Sequence, residues 1–527
     1  MRLKERFIIS LGQLLRPLPE PIKQVLRKAA VRIGLFGPPV APEVEVEAIG
    51  SETEASATAY LEISTALAER RYQNVLDQVA ALEETEEARE PRDRSVFRAR
   101  LAYCDALVAL GRGREAQRFL DELDRIYGVR WSTLRRRAQL GVFTADHAGA
   151  LAAVERALLH MPARKGRNSY LAEMALMKVD LLTAAGRCDE AREFFLRLFP
   201  ADRPTRPLTD RQLASLRKTV NGPEALRQFK DLLLPSFAFN GYRALHSLFH
   251  YSIAARDLDQ HEEALYAIQR RFIIGSRILK PAERKKPFRE DWTDAARRAL
   301  LDLREDLSAA GVEFFLISGT LLGCVREGGI LGHDKDVDVG VMDHYEFERV
   351  RGALSGTGHF MLLPIITERI LRVKHSNGVM IDVFFHWEED GRLYHEGQKT
   401  RWWNSPFQLV ETEFLGERFL VPHDTDTYLT ENYGDWRTPV TDFETFCDTP
   451  NMSVTDRNET LWYYYRMLLD YYHTGSVELF EKVWSGLTAL GPVSVEFRMA
   501  VEAAQARMAR LLPPPEPAAQ ANGEPLQ

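Results

Sequence analysis

Over residues 57–285 apolar positions recur at steps of three and four, the spacing that lines them along one face of a helix, and the chain reads as helices throughout. Six stretches inside this region are alike: Tyr72-Gln-Asn-Val75, Arg114-Glu-Ala116, Ala148-Gly-Ala150, Asp189-Glu-Ala191, Pro223-Glu-Ala225 and Glu262-Glu-Ala264. Their last residues stand 41, 34, 41, 34 and 39 positions apart. A small residue at such a point lets two helices approach closely. The period therefore predicts an array of helix pairs whose neighbours bury each other's apolar faces and leave a concave surface. A plain helical bundle is the alternative.

Lys280-Pro-Ala-Glu-Arg-Lys-Lys-Pro287 breaks the helical series and marks a domain boundary. Beyond it Ala295, Leu300, Leu303 and Leu307 predict a helix over 292–311, feeding an apolar strand from Val312 to Ile317. Ser318-Gly319-Thr320 then turns the chain into a short helix through Arg326. The next strand, Asp336-Val337-Asp338-Val339-Gly340-Val341, alternates acid and valine. Successive strand side chains point to opposite faces, so Asp336 and Asp338 share one face and the valines take the other. Ile370 to His375 and Val379 to His386 flank Ser376-Asn377-Gly378, a hairpin signal, and Asp382 is the one acid of the second strand. A helix from His344 to Leu354, a turn at Asp390-Gly391 and a strand pair, 407–414 and 418–421, complete an α+β domain with a mixed sheet over 290–455. Helices follow over 456–511, and a Pro-rich tail closes the chain at 512–527.

Two carboxylates side by side repel each other, and a hard divalent cation with oxygen ligands makes them tolerable. Asp382 on a neighbouring strand would complete a two-ion site, although a lone acid in a strand also serves as a cap or hydrogen-bond acceptor. A glycine at a strand-to-helix turn lets backbone N–H groups approach a phosphate, which makes Ser318, Gly319 and Thr320 candidate phosphate ligands. Arg326, Arg372 and Lys374 are candidate contacts for a negatively charged substrate, each with a solvated or ion-paired surface role as its alternative. Asp334 is read equally as metal ligand or loop-orienting residue. His333 and His375 stay unassigned.

In these residues the chain resembles a known family. Ser318-Gly-Thr-Leu-Leu-Gly323, Arg326-Glu-Gly, Asp334-x-Asp336-x-Asp338, Ile381-Asp382-Val-Phe and Tyr433-Gly-Asp-Trp-Arg-Thr-Pro439 look like the LicD and fukutin group of phosphotransferases, within the nucleotidyltransferase superfamily typified by DNA polymerase beta. The resemblance runs from Trp292 to about Pro450. It departs from the family before the first acid, where Gly332-His333 stands in place of Pro-Trp. The resemblance implies a nucleotidyltransferase-like fold and Mg²⁺ or Mn²⁺ held by Asp336, Asp338 and Asp382, with Asp382 taking the acceptor's proton. It implies a CDP-linked donor of phosphocholine, glycerol phosphate or ribitol phosphate and, as acceptor, a sugar hydroxyl of a cell-surface glycan such as lipopolysaccharide or capsule. A nucleotidyltransferase acting on a small molecule or sugar phosphate would use the same acids. A non-catalytic scaffold dominated by the helices is the third reading. Residues 57–285, with their 34-residue steps, resemble a divergent tetratricopeptide solenoid, suited to a protein or carrier partner or to supporting the catalytic domain.

Composition adds limits. A net charge of −7 gives no general reason to expect nucleic acid. Cys104, Cys188, Cys324 and Cys447 lack metal or disulfide spacing and fit a reducing compartment. No apolar run reaches transmembrane length. Residues 1–36 carry eight basic residues against two acidic ones, in two helical pieces around Pro17-Leu-Pro19-Glu-Pro21. Such a segment can lie on an anionic membrane surface or dock on the protein itself. A Pro- and Glu-rich linker is expected over 37–56. The expected setting is cytoplasmic, with peripheral contact at the inner membrane face.

Overall fold

A computed structural model describes residues 53–511 apart from 86–92, 160–166, 200–207, 238–240, 283–291, 333, 335, 344–345 and 441. The basic segment 1–36, all but the last residues of the expected linker, His333 and the tail lie outside the described residues.

Twelve helices run from Glu54 to Ile278 among the described residues. They pair as Glu54–Ala68 (α1) with Tyr72–Glu83 (α2), Arg94–Ala109 (α3) with Gly113–Tyr127 (α4), and Trp131–Phe143 (α5) with His147–Leu159 (α6). Arg167–Ala184 (α7) with Cys188–Leu198 (α8), Asp210–Lys218 (α9) with Pro223–Phe237 (α10), and Tyr242–Arg256 (α11) with His261–Ile278 (α12) follow. The first begins three residues inside the expected linker, where Thr53 and Ser56 cap each other's backbone N–H. The six repeat positions fall at the third or fourth residue of the second helix of each pair, and Val75, Ala116, Ala150, Ala191, Ala225 and Ala264 are at most 3% exposed. The reason for small side chains is visible at Ala150. A Cβ on Gly141 of α5 would lie 2.7 Å from the Ala150 Cβ, so this pair of helices closes to near backbone contact.

The α/β part opens with Trp292–Ala309 (α13), Phe315–Leu316 (β1) and Ser318–Glu327 (α14). Then come Asp336–Met342 (β2), Phe347–Leu354 (α15), Phe360–Leu362 (β3), Ile370–His375 (β4) and Met380–Glu389 (β5). Arg392–Glu396 (β6), Thr400–Asn404 (β7), Leu409–Phe414 (β8), Glu417–Pro422 (β9), Thr425–Tyr433 (α16), Thr445–Asp448 (α17) and Met452–Val454 (β10) complete it. The sheet order is β10-β7-β6-β5-β2-β1-β9-β8, with β4 joined to β5 and β3 to β4. It is mixed, since β2 runs parallel to β5 and β1 parallel to β9 while the other pairs are antiparallel. β1 is shorter than Val312–Ile317 suggests. Val312 and Phe314 are buried by packing against α13 and β9 and not by a ladder. Strands β6, β7 and β10 were not legible as such in the sequence.

Arg457–Thr474 (α18), Val477–Ala489 (α19) and Val495–Leu511 (α20) close the described chain. They share one hydrophobic core with α7 to α12. At Gly275 of α12 an added Cβ would meet Leu469 of α18 at 2.6 Å, and Trp462 donates to Ser252 across 3.2 Å. These last described helices thus fold back onto the helical array.

Candidate active site

The hairpin places its strands by sequence-local rules. Asn377 and Gly378 turn β4 into β5, Gly378 at φ +95°, and the ladder pairs Arg372 with Asp382 and Lys374 with Met380. On the other side of β5, β2 pairs Asp382 with Asp338 and Met380 with Asp336. Opposed residues of adjacent strands share a face, and neighbouring strands lie about 4.8 Å apart. Two rows therefore cross three strands: Asp338–Asp382–Arg372, and beside it Asp336–Met380–Lys374. The intervening Val337, Val339, Ile381, Val383, Leu371 and Val373 are at most 1% exposed and face α13 and α15, leaving the rows on the open face.

The turn after β1 is built around the same rows. Ser318 sits at φ +48°, and an added Cβ on Gly319 would lie 2.9 Å from the Asp334 carboxylate, so glycine is what admits that acid. Gly319 N–H donates to the Asp338 carboxylate. Thr320 is 1% exposed, and its hydroxyl accepts the Asp338 backbone N–H at 2.9 Å, so its side chain clamps the acid strand in place. At Gly323 a Cβ would meet the Gly329 carbonyl at 2.5 Å, which is how α14 folds tightly against the loop that carries Asp334. Arg326 donates to the Trp436 carbonyl at 3.2 Å and to Glu327 at 3.0 Å, tying α14 to the Tyr433-Gly-Asp-Trp run.

Burial and like charge act together on these acids. Burial pushes Asp338 well above the usual carboxylate range, Asp336, Asp382 and Asp334 add to it, and only the Gly319 N–H works the other way. Asp382 is pushed up to about 7 by burial and by Asp336, against the pull of Arg372. The charges of Asp338 and Asp334 also reach the Tyr433 phenol, which burial raises first. Tyr433 opens one of the family-like sequence runs, but nothing in that run says it stands beside the acids.

His375 belongs elsewhere. It is fully buried, its Nε2 lies 2.9 Å from Asp302 of α13, and its Nδ1 accepts the Asn377 N–H at 3.2 Å. With the Asn377 side chain donating to the Ala295 carbonyl at 2.8 Å, it nails the hairpin turn to α13 and so sets the register of Arg372 against Asp382.

The family model described as LicD/FKTN/FKRP, nucleotidyltransferase domain, matches residues 311–424, which contain both rows and the Ser318-Gly-Thr turn. The ribitol-5-phosphate transferase FKTN of Mus musculus is 30% identical over 171 residues, 30% of this chain and 36% of that protein. The Homo sapiens protein of the same name is 29% identical over 172 residues, with the same shares. An uncharacterized protein of Rickettsia typhi is 29% identical over 147 residues, 26% of this chain and 44% of that protein. The chain thus spans little more than a third of the fukutin relatives' length, and the helices before residue 292 fall outside the family match. The acid rows and the glycine turn thus lie within the stretch, residues 311–424, that is similar to the LicD/FKTN/FKRP family.

Proposed function

We propose that the protein is a metal-dependent phosphotransferase that moves a phospho-alcohol, such as ribitol, glycerol or choline phosphate, from a CDP-linked donor to a sugar hydroxyl of a cell-surface glycan. The observation that carries this reading is the row Asp338–Asp382–Arg372 with Asp336 and Asp334 beside it, in a domain similar to proteins named ribitol-5-phosphate transferases.

The donor set suits Mg²⁺ or Mn²⁺. Every candidate ligand is a carboxylate oxygen, and the elevation of Asp338 and Asp382 by burial and by neighbouring acids is a cost that a divalent cation would reduce. Among the described residues no three His, Cys, Asp or Glu side chains are drawn together as a finished ligand set. That accords with the habit of Mg²⁺, which takes one or two carboxylates and completes its shell with water and substrate phosphates. When bound, the cation supplies charge neutralisation at the phosphates and acidifies a coordinated hydroxyl. Asp336, Asp338, Asp382 and Asp334 would supply its carboxylates, one or two to each ion.

The chain's own residues supply position and charge, which is most of what phosphoryl transfer needs. The Asp382 carboxylate accepts the proton of the attacking sugar hydroxyl, and Arg372 opposite keeps that carboxylate oriented along the row. Lys374, exposed at the end of the second row, and Arg326 bind donor phosphates, while the Gly319 N–H stays with Asp338 and the Ser318 N–H with the Tyr428 hydroxyl. The helical array, read as tetratricopeptide-like, grips the acceptor or its carrier. No helix among the described residues is long and apolar enough to cross a membrane. The basic segment 1–36 would bring the protein to a lipid-linked glycan at the inner membrane face.

Incubating the purified chain with Mg²⁺ and a panel of CDP-alcohols tests the reading. CMP release that requires the cation and is lost in Asp336→Ala and Asp338→Ala is expected. Absence of CMP from every donor, or nucleotide attached to the product, would overturn it.

A further inference from the structure

The helical array and the α/β part meet at a seam of glycines. Gly111, in the turn between α3 and α4, is buried at φ +76°, and an added Cβ there would lie 2.7 Å from the Asp302 carboxylate and 3.0 Å from the His359 ring. A Cβ on Gly113, at the start of α4, would lie 3.1 Å from the Gly358 Cα. Gly358 donates its N–H to the Phe143 carbonyl of α5 at 3.2 Å, and a Cβ on Gly356 would stand 3.2 Å from the Thr144 carbonyl oxygen. Among the described residues β3, which follows these glycines, pairs only with β4, so the seam closes onto an edge strand of the sheet.

Behind the seam stand two acid–histidine pairs. Asp302 of α13, 1% exposed, meets Arg298 at 2.7 Å and His375 Nε2 at 2.9 Å, and His359 Nδ1 lies 2.9 Å from Asp306. Burial works to raise the Asp302 carboxyl, but the bond from His375 and the charges of Arg298 and His359 outweigh it and hold the group below its ordinary value. Both pairs reach the same turn. The His359 carbonyl accepts the Ser376 N–H at 2.9 Å, Phe360 stands opposite His375 in the β3–β4 ladder, and His375 Nδ1 accepts the Asn377 N–H. From that turn β5 runs out to Asp382 and β4 runs back to Arg372. A side chain at position 111 would have to push Asp302 away from His375 or lift the α3–α4 turn off its seat, and glycine is what lets both stay.

We propose that Gly111, Asp302 and His359 are positioning residues for the acid rows: the α3–α4 turn, seated on Asp302 and His359, fixes the turn at 375–378 and with it the placement of Asp382 against Arg372. None of the three touches the rows, and each acts through the hairpin. The array is then part of the catalytic apparatus as well as a grip for the acceptor. The inference rests on the transferase reading for its effect on turnover, while the placement of the hairpin is measurable without it.

Native-state hydrogen exchange of the full chain reads that placement, because a segment held less firmly opens more often. Gly111→Ala and Gly186→Ala form the comparison. Gly186 lies in the α7–α8 turn at φ +74°, so alanine carries the same backbone strain at both positions, but a Cβ on Gly186 meets nothing within 4 Å among the described residues. The measured quantity is the exchange rate of the β4–β5 hairpin, 370–386, divided by that of the β8–β9 pair, 409–422, which cancels a loss of overall stability. This ratio should rise about tenfold in Gly111→Ala and stay at the wild-type value in Gly186→Ala. In the CMP assay kcat should fall about 10- to 100-fold in Gly111→Ala, the effect of displacing a reacting group by about an ångström, with a smaller change in KM for the donor. Gly186→Ala should keep the wild-type kcat. A ratio unmoved in Gly111→Ala, a ratio raised equally in both variants, or a raised ratio with an unchanged kcat overturns the positioning role. A wild-type chain that releases CMP from no donor sinks the transferase reading alone, and the exchange ratio still decides whether the seam places the hairpin. Should Gly111→Ala fail to fold, Asp302→Asn takes its place, since an amide cannot accept from Arg298 and His375 through both of its side-chain positions, and the same rise in the ratio is expected, an unmoved ratio again counting against the role.

Discussion

Asp382→Asn separates catalysis from stability with opposite signs. The folded-state pKa of Asp382, pushed up to about 7, stands roughly 3 units above the ordinary aspartate value. A carboxylate raised on folding binds its proton more tightly in the folded chain. The metal-free protein therefore loses stability as pH climbs from about 4 to about 7 and is level on either side of that window. At about 1.36 kcal/mol per unit the ionised group costs the fold at most about 4 kcal/mol above pH 7. Asparagine fills the same volume without charge, forgoes the attraction of Arg372, and should recover about 1–3 kcal/mol of that cost. At roughly 2–4 °C per kcal/mol for a domain of this size, the variant should melt several degrees above wild type at pH 8 in chelator, and within about a degree of it at pH 4. Mg²⁺ should raise the wild-type melting temperature at pH 8 and affect the variant less, while turnover in the variant falls by about 10³-fold or more, as expected for a lost proton acceptor and charge. Differential scanning calorimetry at the two pH values, with chelator and with Mg²⁺, reads all of this. A variant destabilised equally at both pH values would refute the electrostatic account, because a hydrogen-bonding role for Asp382 has no such pH dependence.

Arg372→Met should lower donor turnover about 10- to 100-fold in steady-state assays, the loss of one charge-assisted contact, and push the Asp382 pKa higher, moving the acidic limb of the pH–rate profile upward; an unmoved limb would place Arg372 outside the row's electrostatics. Gly319→Ala puts a methyl group 2.9 Å from the Asp334 carboxylate, and should cost about 1–3 kcal/mol by thermal denaturation together with weaker Mg²⁺ binding by calorimetry, since the acid must move to admit it.

Periodicity by itself determined a good deal. The two-residue repeat of β2 put Asp336 and Asp338 on one face, Asn377-Gly378 announced the hairpin that carries Asp382, and the spaced repeat positions included Ala150, the tight point of its helix pair. These are local properties: a strand's faces and a turn's handedness follow from backbone geometry that a few residues specify. Which strands become neighbours is a different matter. Nothing within β2 or β5 says that they lie parallel with Asp338 facing Asp382, because that pairing depends on contacts between segments more than forty residues apart. The same limit explains why Thr320 proved to be a clamp on Asp338, why His375 turned inward to Asp302, why β6, β7 and β10 went unread, and why the helices after residue 456 joined the core of the array. It also explains Gly111. A glycine between two helices reads as an ordinary turn, but that this turn must leave room for Asp302 is settled only when helices distant along the chain are brought to within a few ångströms of one another.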